Sequence, residues 1–114
     1  MEQDLFCKII AKEIPADVVY EDDEVLAFRD IRPQAPVHIL IIPKKHIPKI
    51  ADITEADEGL IGKLVFVASE LAKKEGIAET GYRLVFNNGP NAGQEVYHVH
   101  LHLFGGRKFT WPPG

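Results

Sequence analysis

The sequence predicts an α+β fold, with a mostly antiparallel sheet of about five strands, one short helix and one long helix. Three observations carry that prediction. Short β-rich runs recur along the chain with turn residues between them. One long stretch, opened by Thr54-Glu55-Ala56-Asp57 and closed near Gly76, spaces its apolar residues as a helix does. Near the C-terminus His98, His100 and His102 alternate with Val99, Leu101 and Leu103, which is the period of a strand.

Composition bounds the answer. The 114 residues are 46% hydrophobic and 26% charged, as expected for one globular domain spanning residues 1–114. A net charge of −4 argues against nucleic acid or membrane as partners. Cys7 is the only cysteine, which excludes an internal disulfide and fits a reducing compartment. No apolar run approaches the roughly 20 residues of a membrane span, and no signal-peptide pattern is present. A soluble, cytoplasmic protein is the expectation.

Taken in order, Asp4-Leu5-Phe6-Cys7-Lys8-Ile9-Ile10 reads as a short helix with Asp4 as cap, ending before Pro15. Val18-Val19-Tyr20 and Val25-Leu26-Ala27-Phe28 form a hairpin through Glu21-Asp22-Asp23-Glu24. The two prolines of Asp30-Ile31-Arg32-Pro33-Gln34-Ala35-Pro36 mark a loop. Val37-His38-Ile39-Leu40-Ile41-Ile42 is a strand apolar on both faces, expected where both are covered, and Pro43 closes it. Lys44 through Lys49 is a basic loop in which His46 reads as solvated.

The long helix carries Leu60, Ile61, Leu64, Val65, Phe66, Val67, Ala68, Leu71 and Ala72. That is wider than the stripe of about 100° needed to cover one sheet face. A symmetric dimer is the simplest use for the excess. Gly81 through Asn87 is another strand. Asn88 through Gln94, with Gly89, Pro90 and Gly93, is a loop that leads into the histidine run and lets backbone approach a ligand. The tail ends in Trp111-Pro112-Pro113-Gly114, too proline-rich for regular structure, and its tryptophan is expected to dock somewhere.

A row of imidazoles makes a poor core face, because every buried ring nitrogen needs a partner. One metal ion on all three is disfavoured by length: His98 and His102 stand roughly 13 Å apart on a straight strand and do not readily converge on Zn–N bonds of about 2.0–2.1 Å. A two-histidine site completed by His38 or Glu95 stays open at this point. Nucleophilic catalysis fits better, since a neutral imidazole attacks well near pH 7 and its neighbours can fix its tautomer. His100, with a histidine on either side, is the candidate. Attack at phosphorus exchanges one P–N bond for another when the substrate is a phosphoramidate, which favours an amine leaving group. Backbone N–H groups around Gly93 can hold the phosphate oxygens.

These residues resemble a known family. His98-x-His100-x-His102 followed by Gly105-Gly106 is similar to the motif of the histidine triad (HIT) superfamily. The likeness to its Hint branch runs from Phe6-x-Lys8-Ile9-Ile10 and Glu13-Ile14-Pro15-Ala16 through Phe28-x-Asp30-Ile31 and Pro33-Gln34-Ala35-Pro36-x-His38. It continues through Gly93-Gln94-x-Val96-Tyr97-His98 to the terminal Trp111-Pro112-Pro113-Gly114.

The resemblance implies a HIT-like fold dimerising into one ten-stranded sheet, with the long helices across the interface. It implies hydrolysis of purine nucleoside phosphoramidates, such as AMP joined to an amine or lysine, and of aminoacyl adenylates. The route is a nucleotidyl-histidine intermediate, with no metal or cofactor. AMP or GMP would be the bound product. Carried over by position, His100 is the nucleophile and His98, His102 and His38 its hydrogen-bond network. Asn87, Gly93, Gln94 and Glu95 lie near phosphate and leaving group. Phe6, Ile9, Phe28, Ile31 and Leu40 wall the base pocket, Asp30 binds ribose, and Trp111 reaches toward the partner's site.

Without the resemblance, Phe6, Ile9, Phe28 and Leu40 read as plain core, Asp30 as a turn residue and His38 as a structural histidine. Animal Hint proteins usually have serine where Glu95 stands, so Glu95 either points away or senses a cationic amine. Sibling activities on dinucleoside polyphosphates, or nucleotidyl transfer, are the alternatives. The transferase branch usually ends its triad in glutamine, and His102 argues for hydrolysis. A nucleotide-binding scaffold with a secondary pocket is a third reading.

Overall fold

The computed structural model describes residues 4–114. Asp4 caps helix α1 (Leu5–Ile10) by accepting the Cys7 N–H on Oδ1 at 2.7 Å. Five strands follow: β1 (Val18–Glu21), β2 (Val25–Arg29), β3 (Val37–Pro43), β4 (Tyr82–Phe86) and β5 (Leu101–Gly105). They form one sheet in the order β1-β2-β3-β5-β4, with every neighbouring pair antiparallel. The long helix α2 (Glu58–Lys74) connects the middle of the sheet to its far edge.

Strand parity divides the core. Odd residues of the central strands, Val25, Ala27, Ile39, Ile41, Leu101 and Leu103, pack with Leu64, Val67, Ala68, Leu71 and Ala72 of α2. The even residues Leu26, Phe28, Leu40 and Ile42 pack instead with Phe6 and Ile9 of α1. β3 is apolar on both sides because each side has its own cover, as its unbroken run requires. Each fully buried aliphatic side chain here contributes roughly 1.5–3 kcal/mol.

Two boundaries differ from those expected. The capping box at Thr54 closes a 3₁₀ turn, Glu55–Asp57, and the α-helix begins only at Glu58. The histidine strand starts at Leu101, so His98, Val99 and His100 lie outside it. Proline supplies the physical reason. Continuing the register that pairs Ile41 with Leu101 would set Val99 against Pro43, which has no N–H to give the ladder. Val99 N–H donates instead to the Ile47 carbonyl at 2.8 Å, and the Pro43 carbonyl accepts from the His98 ring at 2.7 Å.

The surplus apolar face of α2 is real. Val65 is 42% and Phe66 64% exposed in the single chain. Trp111 is 84% exposed in the single chain. The backbone before it is tied to the β4 edge, where Arg83 donates to the Thr110 carbonyl at 2.9 Å.

Candidate active site

The even face of the sheet, α1, and the loops after β2 and β4 enclose a cleft of about 550 Å³. Phe6, Ile9, Ile14, Phe28, Leu40 and Val96 line its apolar part; Asp30, His38, Asn87, Gly93, Glu95, His100 and His102 line its polar part. Phe6 meets Phe28 edge to face at 5.6 Å and His100 at 5.0 Å, so the apolar wall runs directly up to the imidazole. Phe6, Ile9, Phe28 and Leu40 are therefore both core and pocket wall: their bodies form the second core cluster and their outer surfaces face the cleft.

His100 is largely buried, with Nδ1 at 2.8 Å from the backbone carbonyl of His98. A carbonyl only accepts, so Nδ1 carries the hydrogen and Nε2 presents its lone pair. Burial holds the His100 pKa below its ordinary value; the His98 carbonyl and the Asp4 and Asp30 charges oppose this less strongly. The ring is a neutral imidazole at pH 7.

The tautomers of the neighbouring pair follow by the same accounting. Gln34 N–H donates to His38 Nδ1 at 3.1 Å, which leaves the His38 hydrogen on Nε2. That N–H donates to His102 Nδ1 at 2.9 Å, which leaves the His102 hydrogen on Nε2. Both nitrogens of His38 and one of His102 are thereby engaged. The remaining Nε2–H of His102 is a free donor on a ring whose centre lies 5.0 Å from that of His100. His102 also stacks on Phe104 at 5.4 Å with planes 3° apart. Burial pushes His38 down, and burial with the two like-charging rings beside it pushes His102 down to about 4. Asp30 opposes both shifts. Its Oδ2 lies 3.5 Å from His38 Nε2, while its Oδ1 accepts the Arg32 N–H at 2.8 Å in a side-chain turn.

These depressed values have a consequence for stability. The unfolded chain binds protons on histidine from pH 6.5 downward, whereas folded His102 resists until about 4. Stability present at neutral pH is therefore lost as pH falls through this window. The thermal midpoint should fall between about pH 7 and about pH 4.5, and fall less in His102→Asn, which removes the group. Equal falls in both proteins would contradict the assignment.

Not every expected residue reaches the cleft. The Gln94 side chain is buried in its own loop, where Oε1 accepts the Gly89 N–H and Nε2 donates to the Pro48 and Val96 carbonyls. It shapes the turn that carries Gly93 and Glu95 and has no atom left over for a ligand. His98 is fully buried and does not line the cleft; its carbonyl, not its ring, serves His100. Ile31 stands at the mouth, 91% exposed, and Trp111 lies outside the lining.

Reading the sequence also missed members. Phe104 was legible, since it shares strand parity with His102. Gln34 acts through its backbone N–H, which no side-chain motif reveals. Arg29 and Arg32 line the cleft as well, although Glu75 grips the Arg29 guanidinium through two bonds of 2.9 Å. His46 is not solvated: it is mostly buried, 5.0 Å from the His98 ring.

Comparison with known proteins agrees with this geometry. A HIT domain family model matches residues 11–109. The purine nucleoside phosphoramidase of Escherichia coli strain K12 is 56% identical over 106 residues, covering 93% of this chain and 89% of that protein. An uncharacterised HIT-like protein of Synechococcus elongatus is 55% identical over 99% of this chain and 98% of its own. The crystal structure of a HIT family hydrolase from Legionella pneumophila Philadelphia 1 superposes with a TM-score of 0.96 at 61% identity. That match covers 98% of this chain and 100% of the other.

Proposed function

Because the chain belongs to the HIT domain family, we propose that it hydrolyses purine nucleoside phosphoramidates and aminoacyl adenylates through a nucleotidyl intermediate on His100. One observation carries the reading. In the cleft His100 offers an unprotonated Nε2, its ring 5.0 Å from the ring of His102, which carries its hydrogen on Nε2, and Phe6, Phe28 and Leu40 line the apolar wall beside them.

In the first step His100 Nε2 attacks phosphorus and the P–N bond to the amine breaks. The leaving nitrogen must gain a proton. The substrate's anionic phosphorus centre raises the His102 pKa, so the ring takes up a proton on Nδ1 as substrate binds, the His38 Nε2–H turns from it to Asp30 Oδ2, 3.5 Å away, and His102 Nε2–H passes to the amine. Asp30 offsets the positive charge shared by His38 and His102. In the second step water attacks phosphorus, His102 recovers a proton from it, and the P–N bond returns its electron pair to His100. The mononucleotide leaves, and no step calls for a metal ion. Gly93, whose φ of 83° places it in the left-handed region, keeps backbone close to the phosphate. Asn87 and Glu95 flank the leaving group.

Quenching the reaction early and mapping peptides by mass spectrometry should place a nucleotidyl mass on His100. An adduct on another residue would refute the route.

The same reading makes the protein a cytoplasmic homodimer. A second copy would cover Val65 and Phe66 of α2, extend the sheet at the β4 edge, and give Trp111 a surface to meet. Light scattering should report a dimer for the wild type and a monomer for Phe66→Glu, whose carboxylates would face each other across the interface. A monomeric wild type would remove this part of the proposal.

A further inference from the structure

Arg29 is the last residue of β2 and stands between Phe28 and Asp30, both of which line the cleft. Its guanidinium reaches away to the end of α2. Nη1 and Nη2 donate to Glu75 Oε1 and Oε2, each at 2.9 Å, and Nε lies 3.7 Å from Asp17 Oδ2. The fork is engaged with a carboxylate, so this arginine serves the cleft without being a free cation for a phosphate.

Glu75 is an unfavourable place for a negative charge. It is the C-cap of α2, where the helix dipole favours cations, and Lys73 and Lys74 fill the last turn accordingly. The Glu75 N–H donates to the Leu71 carbonyl at 2.8 Å, and Leu71 and Ala72 are buried in the main core, so the carboxylate is mounted on a fixed support. The Arg29 guanidinium holds the Glu75 carboxyl below its ordinary value, and the pair is ionised at neutral pH. Two parallel bonds also fix the plane of the guanidinium, which a lysine ammonium would leave free.

What this pair steadies is the point where the chain leaves the sheet. The β2–β3 ladder ends with Arg29 opposite Ile39, and residues 31–34 beyond it are exposed. At that point the Arg29 N–H donates to the Asp17 carbonyl and the Asp30 N–H to the His38 carbonyl, both at 3.0 Å. The Asp30 carboxylate, 3.5 Å from His38 Nε2, therefore hangs one residue past the ion pair.

We propose that Arg29 and Glu75 are positioning residues for Asp30, and that their ion pair sets the preference of the cleft for ribonucleotides over nucleotides lacking the ribose hydroxyls. This rests on the function proposed above, with Asp30 as the group that meets the ribose. Neither Arg29 nor Glu75 touches the substrate. They hold the end of β2 at the distance from which Asp30 accepts from the hydroxyls. An ion pair with only a structural role would, when broken, lower the thermal midpoint and weaken every nucleotide alike.

Calorimetric titration of the full-length protein with AMP, and with its analogue lacking both ribose hydroxyls, separates the two. The wild type should bind AMP at least about tenfold more tightly than the analogue, the yield of hydrogen bonds to a charged group. In Glu75→Gln the Kd for AMP should rise about three- to tenfold while that for the analogue stays within about twofold, because only the ribose contact is misplaced. Arg29→Lys, which keeps the charge and loses the fork, should narrow the preference in the same way. An unchanged preference in either folded variant, or an equal loss of both ligands, would overturn the proposal. A wild type that binds AMP without preferring it would overturn the ribose role of Asp30 and this inference together. One that binds neither ligand would overturn the proposed function itself.

Discussion

His100→Ala is expected to lower kcat/KM for an adenosine phosphoramidate by at least about 10⁴-fold while leaving AMP affinity within about threefold. The asymmetry follows from what each group touches. On the proposed reading the base rests on Phe6, Phe28 and Leu40 and the polar groups meet Asp30 and Asn87, all of them cleft-lining residues that the substitution leaves in place. What disappears is the Nε2 lone pair that takes phosphorus, an interaction made only along the reaction path. Steady-state kinetics with calorimetric AMP titration would check both halves. His100→Asn, which keeps a donor for the His98 carbonyl, separates loss of the nucleophile from collapse of the bend. Turnover within tenfold of wild type in either folded variant would rule out His100 as the attacking group.

His102→Ala is expected to cost about 10²–10⁴-fold on substrates with an alkylamine leaving group. The loss should shrink to less than about tenfold for a nitrophenolate, which departs without a proton. Only a proton donor predicts that split. A purely structural role for His102, through its stacking on Phe104, would slow both substrates alike. His38 occupies an intermediate place. Its Nε2–H holds His102 Nδ1, so His38→Ala should act by letting His102 rotate or exchange tautomers.

Much of this was legible in the residues. Strand parity separated His102 from Leu101 and Leu103 within the histidine run, because side chains on a pleated strand alternate, while the β3–β5 register put His38 and Leu40 on the same face as His102 and Phe104. The unbroken apolar run of β3 announced that both faces are covered, and the excess on α2 announced an apolar surface beyond what the sheet needs. Asp4 was identifiable as a helix cap, and it is one.

Parity failed at one place, and the failure shaped the site. Continued past Leu101, it set His98 beside His100 as an equal member of one row. The missing N–H of Pro43 ends the ladder there, the chain bends, and His98 turns inward while its carbonyl turns to His100. Pairing across a sheet is a relation between distant segments, so no local pattern carries it.

The remainder belonged to the tertiary structure for the same reason. Which nitrogen of each ring holds the hydrogen depends on a backbone N–H at Gln34 and carbonyls at His98 and Pro43. Cys7 meets His46 across 39 residues and His98 across 91. The sequence by itself determined most of the secondary structure and the alternating faces of each strand, and it singled out His100 as the candidate nucleophile, since each rests on short-range periodicity or a compact motif. Folding alone decided the hydrogen-bond pattern that sets which nitrogen of His38, His100 and His102 carries its hydrogen, since hydrogen bonds exist only between groups that the fold brings into contact.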